Sequence, residues 1–144
     1  MTLPNAVAAL ITAQRLQRVP ADLPSAQARL TRAEDKLAVA RKIASIDVEI
    51  AYVTAYDATR IAVTAHMLSI GYRVRAVARA HEAVGTYAEA MISTPSAFEF
   101  QRMRRRRNKS EYDDVIVGQA DLAADLSHAQ AIIDAVRDTL GPAV

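Results

Sequence analysis

Residues 47–70 read DVEIAYVTAYDATRIAVTAHMLSI. Ile50, Val53, Ile61, Val63, Met67, Leu68 and Ile70 cannot all lie on one narrow helical stripe. A helix that is apolar around most of its circumference is buried on several sides, so this stretch is expected at the centre of a bundle. Ser45 and Asp47 offer an N-cap, and Gly71 offers a stop at the other end. Asp57, Arg60 and His66 interrupt the apolar run, which excludes it as a membrane span of roughly 18–20 residues.

The flanking segments read as amphipathic helices. Upstream, residues 5–18 predict a first helix, and Pro20 and Pro24 bracket a connector. Ser25 is the expected N-cap of a second helix, whose Leu30, Ala33, Leu37 and Ala40 repeat at three and four residues. Downstream, a helix over residues 75–91 would turn Val77, Val84 and Ala88 inward and Arg79 and Glu82 outward. Residues 93–96, STPS, form the clearest break, and Ser96 with Glu99 matches a capping box for a helix over 95–113. The last helix spans 117–140, with Leu122, Leu126, Ala129, Ile133 and Val136 on one face. The pattern predicts a single all-α domain over residues 1–144, an up-and-down bundle of five or six helices.

Composition agrees. Apolar residues make up 51% of the 144-residue chain but aromatics only 5%, and four Gly and five Pro leave little turn chemistry for a β-rich fold. There is no cysteine, which excludes disulfides and thiolate metal sites. Three scattered His complete no metal-ligand pattern, so neither metal nor cofactor is expected. With no signal sequence and no membrane span, the expected compartment is the cytoplasm. Gly-rich phosphate loops, paired catalytic carboxylates and nucleophile elbows are absent from the sequence.

The formal net charge is only +2, but it is unevenly spread. Six of the eight residues from Arg102 to Lys109 are basic, whereas residues 111–125 carry five acids and no Lys or Arg. Arg104 to Arg107 are consecutive, so their guanidiniums point all around a helix and repel unless an anion or a partner neutralises them. Arginine suits bidentate phosphate contacts. Arg102, Arg104, Arg105, Arg106 and Lys109 are therefore candidate RNA-phosphate contacts. The same charges could instead pair with Glu111, Asp113 and Asp114, or dock an acidic partner protein.

Three stretches resemble the HEPN superfamily of helical domains found in prokaryotic toxin–antitoxin, defence and nucleotidyltransferase-linked systems. They are AYVTAYDATRIAVTAHMLSIGYRVR at 51–75, RAHEAVGTYAEAM at 79–91, and RRRRNKSEYDD at 104–114. The last is similar to the family's late Arg-polar-x3-His signature. The resemblance implies a homodimeric, metal-independent endoribonuclease or toxin with a composite site across the dimer axis. It also implies a cognate antitoxin or nucleotidyltransferase partner. In that site Arg107 would hold the scissile phosphate and Asn108 would orient it, while the RNA 2′-hydroxyl attacks. The signature His position is occupied by Tyr112. A phenol with an ordinary pKa near 10 stays protonated at pH 7, which favours RNA binding over cleavage at that position. The resemblance also puts the helix of His81 beside the motif helix, making His81 a candidate cleft residue.

Other residues receive plainer readings. His66 lies in the most apolar helix and is expected as a core or interface group. His128 falls on a polar face and is assigned no role. Asp57 and Arg60, three residues apart, are expected to pair on one helix face. Tyr52, Tyr56, Tyr72 and Tyr87 have helical spacing that fits core packing better than base stacking. The alternative function is a non-catalytic interaction module whose basic helix binds an acidic partner.

Overall fold

The computed structural model describes residues 2–112 and 116–143, with the side chains of 111 and 112 outside the described part. In chain order it forms α1 (Asn5–Thr12), β1 (Leu16–Arg18), α2 (Leu23–Ile43), α3 (Val48–Ser69) and β2 (Tyr72–Val74). It continues with α4 (Ala80–Met91), a 3-10 turn (Pro95–Glu99), α5 (Phe100–Tyr112) and α6 (Gln119–Leu140). The architecture is an all-α helical bundle with one two-stranded ribbon, and its described part contains six α-helices.

α3 is the hub, as its all-round apolarity predicts. Asp47 caps it by accepting the Ile50 backbone N–H at 2.9 Å. Ala51, Ala55, Ala58, Ala62 and Ala65 are buried, and their small side chains let α2, α4, α5 and α6 approach. A four-residue link returns the chain from α2 into α3 as a helical hairpin. α6 then lies antiparallel to α2. Gln119 Nε2 donates to the Ala44 carbonyl at one end, and Gln27 Nε2 donates to the Leu140 carbonyl at the other. No described helix is long and apolar enough to cross a membrane.

Local structure departs from the sequence expectations at several helix ends. The first helix stops at Thr12, because Gln14 takes a left-handed φ of 59° and residues 16–18 pair antiparallel with 72–74, Leu16 opposite Val74. The helix expected from residue 75 begins at Ala80. Arg79 also adopts a left-handed φ, of 65°, and Val77 on the incoming segment is exposed rather than inward. α2 is capped by Asp22, not Ser25: Asp22 accepts both the Ser25 backbone N–H (3.0 Å) and its hydroxyl (2.8 Å). Pro24 in the first turn tolerates this earlier start, because the N–H it lacks would have no helical partner there. The capping box of Ser96 and Glu99 does not form. Residues 95–99 wind as a 3-10 turn, Ser96 bonds His128 Nδ1 at 2.9 Å, and Glu99 pairs with Arg102. Asp57 forms its ion pair with Lys36 of α2 at 3.9 Å rather than with Arg60.

Gly71 ends α3 as expected. Its φ of 90° suits glycine, and an added Cβ would lie 2.8 Å from the Val19 carbonyl oxygen. The close approach seats the ribbon, since Val19 N–H donates to the Gly71 carbonyl at 2.9 Å.

Candidate functional site

α5 buries Phe100 and Met103 against the bundle, which sorts its arginines onto two sides. Arg104 and Arg107, three residues apart, face α4 and α3. Arg102, Arg105, Arg106 and Lys109 follow the i, i+3, i+4, i+7 spacing of another face, toward α6.

On the α6 side, Asp125 is fully buried and collects three donors. Arg102 reaches both carboxylate oxygens, Arg106 Nη1 donates at 2.9 Å, and the Tyr52 hydroxyl donates at 2.7 Å. Burial alone would raise the Asp125 carboxyl. The hydrogen bonds from Arg102 and Tyr52, with the charges of Arg102 and Arg106, outweigh it and hold the group below the usual carboxylate range. Arg102 and Arg106, read from sequence as phosphate contacts, thus have a structural role as well. Arg105 and Lys109 are exposed beside them, and the four cations line a dish of about 200 Å³.

On the α4 side a different arrangement forms. Arg104 Nε donates to Gln101 Oε1 at 3.0 Å, and Gln101 Nε2 donates to the Glu82 carbonyl at 3.1 Å, tethering α5 to α4. The Arg107 guanidinium lies over the Tyr56 ring, 6.0 Å from its centroid, and Arg107 Nη1 donates to Asn108 Oδ1 at 3.3 Å. Tyr56 packs on Phe100 with centroids 5.4 Å apart, stacks on His81 at 6.2 Å, and shares a 3.1 Å hydrogen bond with His81 Nδ1. Arg60, one helical turn beyond Tyr56, lines a groove of about 240 Å³ together with His81. Burial, then the charges of Arg60, Arg107 and Arg104, hold the His81 imidazole below its ordinary value. Burial pushes the Tyr56 phenol up to about 12, so it remains protonated at neutral pH.

Arg104, Arg107, Asn108 and His81 are therefore brought into one region, while Arg102, Arg105, Arg106 and Lys109 lie around the helix from it. Tyr112 ends α5, but its side chain lies outside the described part, as do that of Glu111 and residues Asp113 and Asp114. Sequence reasoning preferred an ion pair for Arg60 and core packing for Tyr56 over a place in the cleft, and missed Asp125 as the anchor of the arginine helix. One signal was legible: Asp125 interrupts the apolar stripe of Leu122, Leu126 and Ala129, and an acid there calls for a buried cation. His66 is buried as expected, with Nδ1 sharing a 2.7 Å hydrogen bond with the Tyr87 hydroxyl. Among the described residues no group of His, Asp or Glu is arranged to hold a metal ion.

This architecture defines a helical bundle with a basic, histidine-bearing cleft. Comparison of the chain with family models, with curated proteins and with solved structures finds no match in any of the three.

Proposed function

We propose that the chain is a HEPN-like RNA-directed protein that binds a phosphodiester in the α3–α4–α5 cleft. The observation carrying this reading is one cluster: Arg107 lies over the Tyr56 ring, Tyr56 bonds His81, and Arg60 lines a groove with His81. Guanidiniums supply fixed positive charge and paired donors for phosphate oxygens. An imidazole below its ordinary value is neutral at pH 7, the form that accepts a proton. In the cleavage this permits, the RNA 2′-oxygen bonds phosphorus as its proton passes to His81. The 5′-oxygen leaves and takes a proton from solvent water while His81 returns its own to solvent, giving a 2′,3′-cyclic phosphate and a 5′-hydroxyl. Arg107 and Arg104 stabilise the charge that builds on the phosphorane oxygens.

His81 thereby takes the part that Tyr112 performs poorly at the signature position. The family likeness adds a cytoplasmic homodimer and a cognate antitoxin or nucleotidyltransferase partner to this proposal.

The test is a mixed RNA pool at low salt, scored by gel shift and by end-group analysis. Arg107→Ala should weaken binding about tenfold or more. His81→Ala should leave binding near wild type and lower cleavage by about 10²–10⁴. Binding without cleavage in the wild type would reduce the reading to an RNA binder. If the protein neither shifts nor cleaves RNA but captures an acidic protein through α5, the interaction-module reading replaces it.

A further inference from the structure

A concavity of about 630 Å³ lies beyond Arg60 from the His81 groove. Three arginines line it from three different elements: Arg29 of α2, Arg60 of α3 and Arg73 of β2. Three like charges around one hollow repel each other, and the arrangement is relieved when an anion occupies it.

The one carboxylate in the wall, Asp22, is an anion that offsets one of the three positive charges and leaves an excess of cations. Asp22 accepts the Ser25 backbone N–H and hydroxyl, and these two bonds lower its pKa. Arg73 is oriented by its Nε bond to Gln17 Oε1 at 3.0 Å, across the ribbon. The remaining wall is largely apolar, with Val19, Leu68 and Tyr72 beside the arginines. An apolar wall with a few convergent cations suits a ligand carrying both a phosphate and a flat organic body.

We infer that Arg29, Arg60 and Arg73 form a second phosphate subsite, which takes the phosphate of a nucleotide. Arg60 also lines the His81 groove, so it joins the two concavities. A strand held at Arg107 and His81 would continue over Arg60 and place a flanking phosphate between Arg29 and Arg73. That continuous path rests on the RNA reading above, whereas the phosphate subsite itself does not.

The test uses Arg29→Gln, Arg73→Gln and their double variant, all outside the His81 cluster, with thermal melts to confirm folding. Wild type and variants are titrated with adenosine 5′-monophosphate, a trinucleotide and a twelve-nucleotide RNA. Arginine side-chain NMR resonances and fluorescence anisotropy are the readouts. If the subsite takes flanking RNA, the double variant binds the twelve-mer about five- to tenfold more weakly and the trinucleotide unchanged. The salt dependence of twelve-mer binding then also flattens by about 1.4 in log–log slope, for two lost phosphate contacts on a single strand. If it takes a free nucleotide, adenosine monophosphate shifts the Arg29 and Arg73 resonances of wild type, and the double variant loses that binding. The inference is overturned if neither ligand moves those resonances and the double variant binds the twelve-mer as wild type does. The two readings fail separately: Arg107→Ala reports on the His81 cleft, and the Arg29 and Arg73 variants report on the subsite.

Discussion

Replacing Asp125 with alanine tests the anchoring of the arginine helix. The substitution deletes a fully buried carboxylate, strands the Tyr52 hydroxyl, and leaves Arg102 and Arg106 facing each other with no counterion between them. Removing one partner of a buried ion pair costs about 3–5 kcal/mol. The Arg102 and Arg106 side chains are 33% and 29% exposed, so water re-solvates them and the lower end applies, about 3 kcal/mol. At about 2.1 cal/mol/K of unfolding entropy per residue, a chain of 144 residues should melt about 10 °C lower. With an m-value near 2 kcal/mol/M, the urea midpoint should fall by about 1.5 M. Asp125→Asn keeps an acceptor for Tyr52 and should lose roughly two-thirds as much. The released guanidiniums should meanwhile raise RNA affinity at low salt. A stability loss below about 1 kcal/mol for Asp125→Ala would show that the cluster does not anchor α5.

Three further outcomes follow from single contacts. Burial holds the His66 imidazole below its ordinary value, so near pH 6 the unfolded chain binds more protons than the folded one. Stability is then complete above pH 6.5 and falls with decreasing pH, at most by about 1.4 kcal/mol per pH unit from this group; urea melts of His66→Gln should show a flatter profile, and equal slopes would refute the assignment. Gly71→Ala forces a left-handed alanine against the Val19 carbonyl and should cost about 2–4 kcal/mol, so a midpoint unchanged in urea would contradict the ribbon seating. Gly85→Ala displaces the Gln101 amide, breaking its bonds to the Glu82 carbonyl and Arg104, about 2 kcal/mol in all, while gaining about 1 kcal/mol of helix propensity. Its net loss should stay near 1 kcal/mol, and crosslinking between α4 and α5 should report the loosened tether; a loss equal to that of Gly71→Ala would mean that Gln101 cannot move.

The central helix was legible because a stripe that fails to close on one face has a direct physical meaning. Local chemistry also located the Asp47 cap and the Gly71 stop. The ribbon was not legible, because residues 16–18 and 72–74 lie 56 positions apart at the Gln17–Arg73 pair and each is too short to show an alternating pattern. Arg79 and Gln14 take left-handed backbone angles that nothing in their identity announces. At the candidate site, the charge run was plain and the spacing separates its two faces. Which face binds a buried acid depends on Asp125, a residue 23 positions away from Arg102 on another helix. His81 was marked only by the resemblance of its helix, and Arg60 joined it once α3 and α4 packed together.

The separation between Arg102 and Asp125 has a consequence in time. The arginine helix leaves the ribosome first, and its counterion follows 23 residues later. At about 5–20 residues per second, that interval is roughly one to five seconds. Throughout it, Arg102 has only Glu99 of its two carboxylate partners, and Arg106 lacks the buried one, close to the polyanionic ribosomal RNA. The arrival of Asp125 in α6 is therefore the step that withdraws two charges from the growing chain and leaves Arg105 and Lys109 exposed.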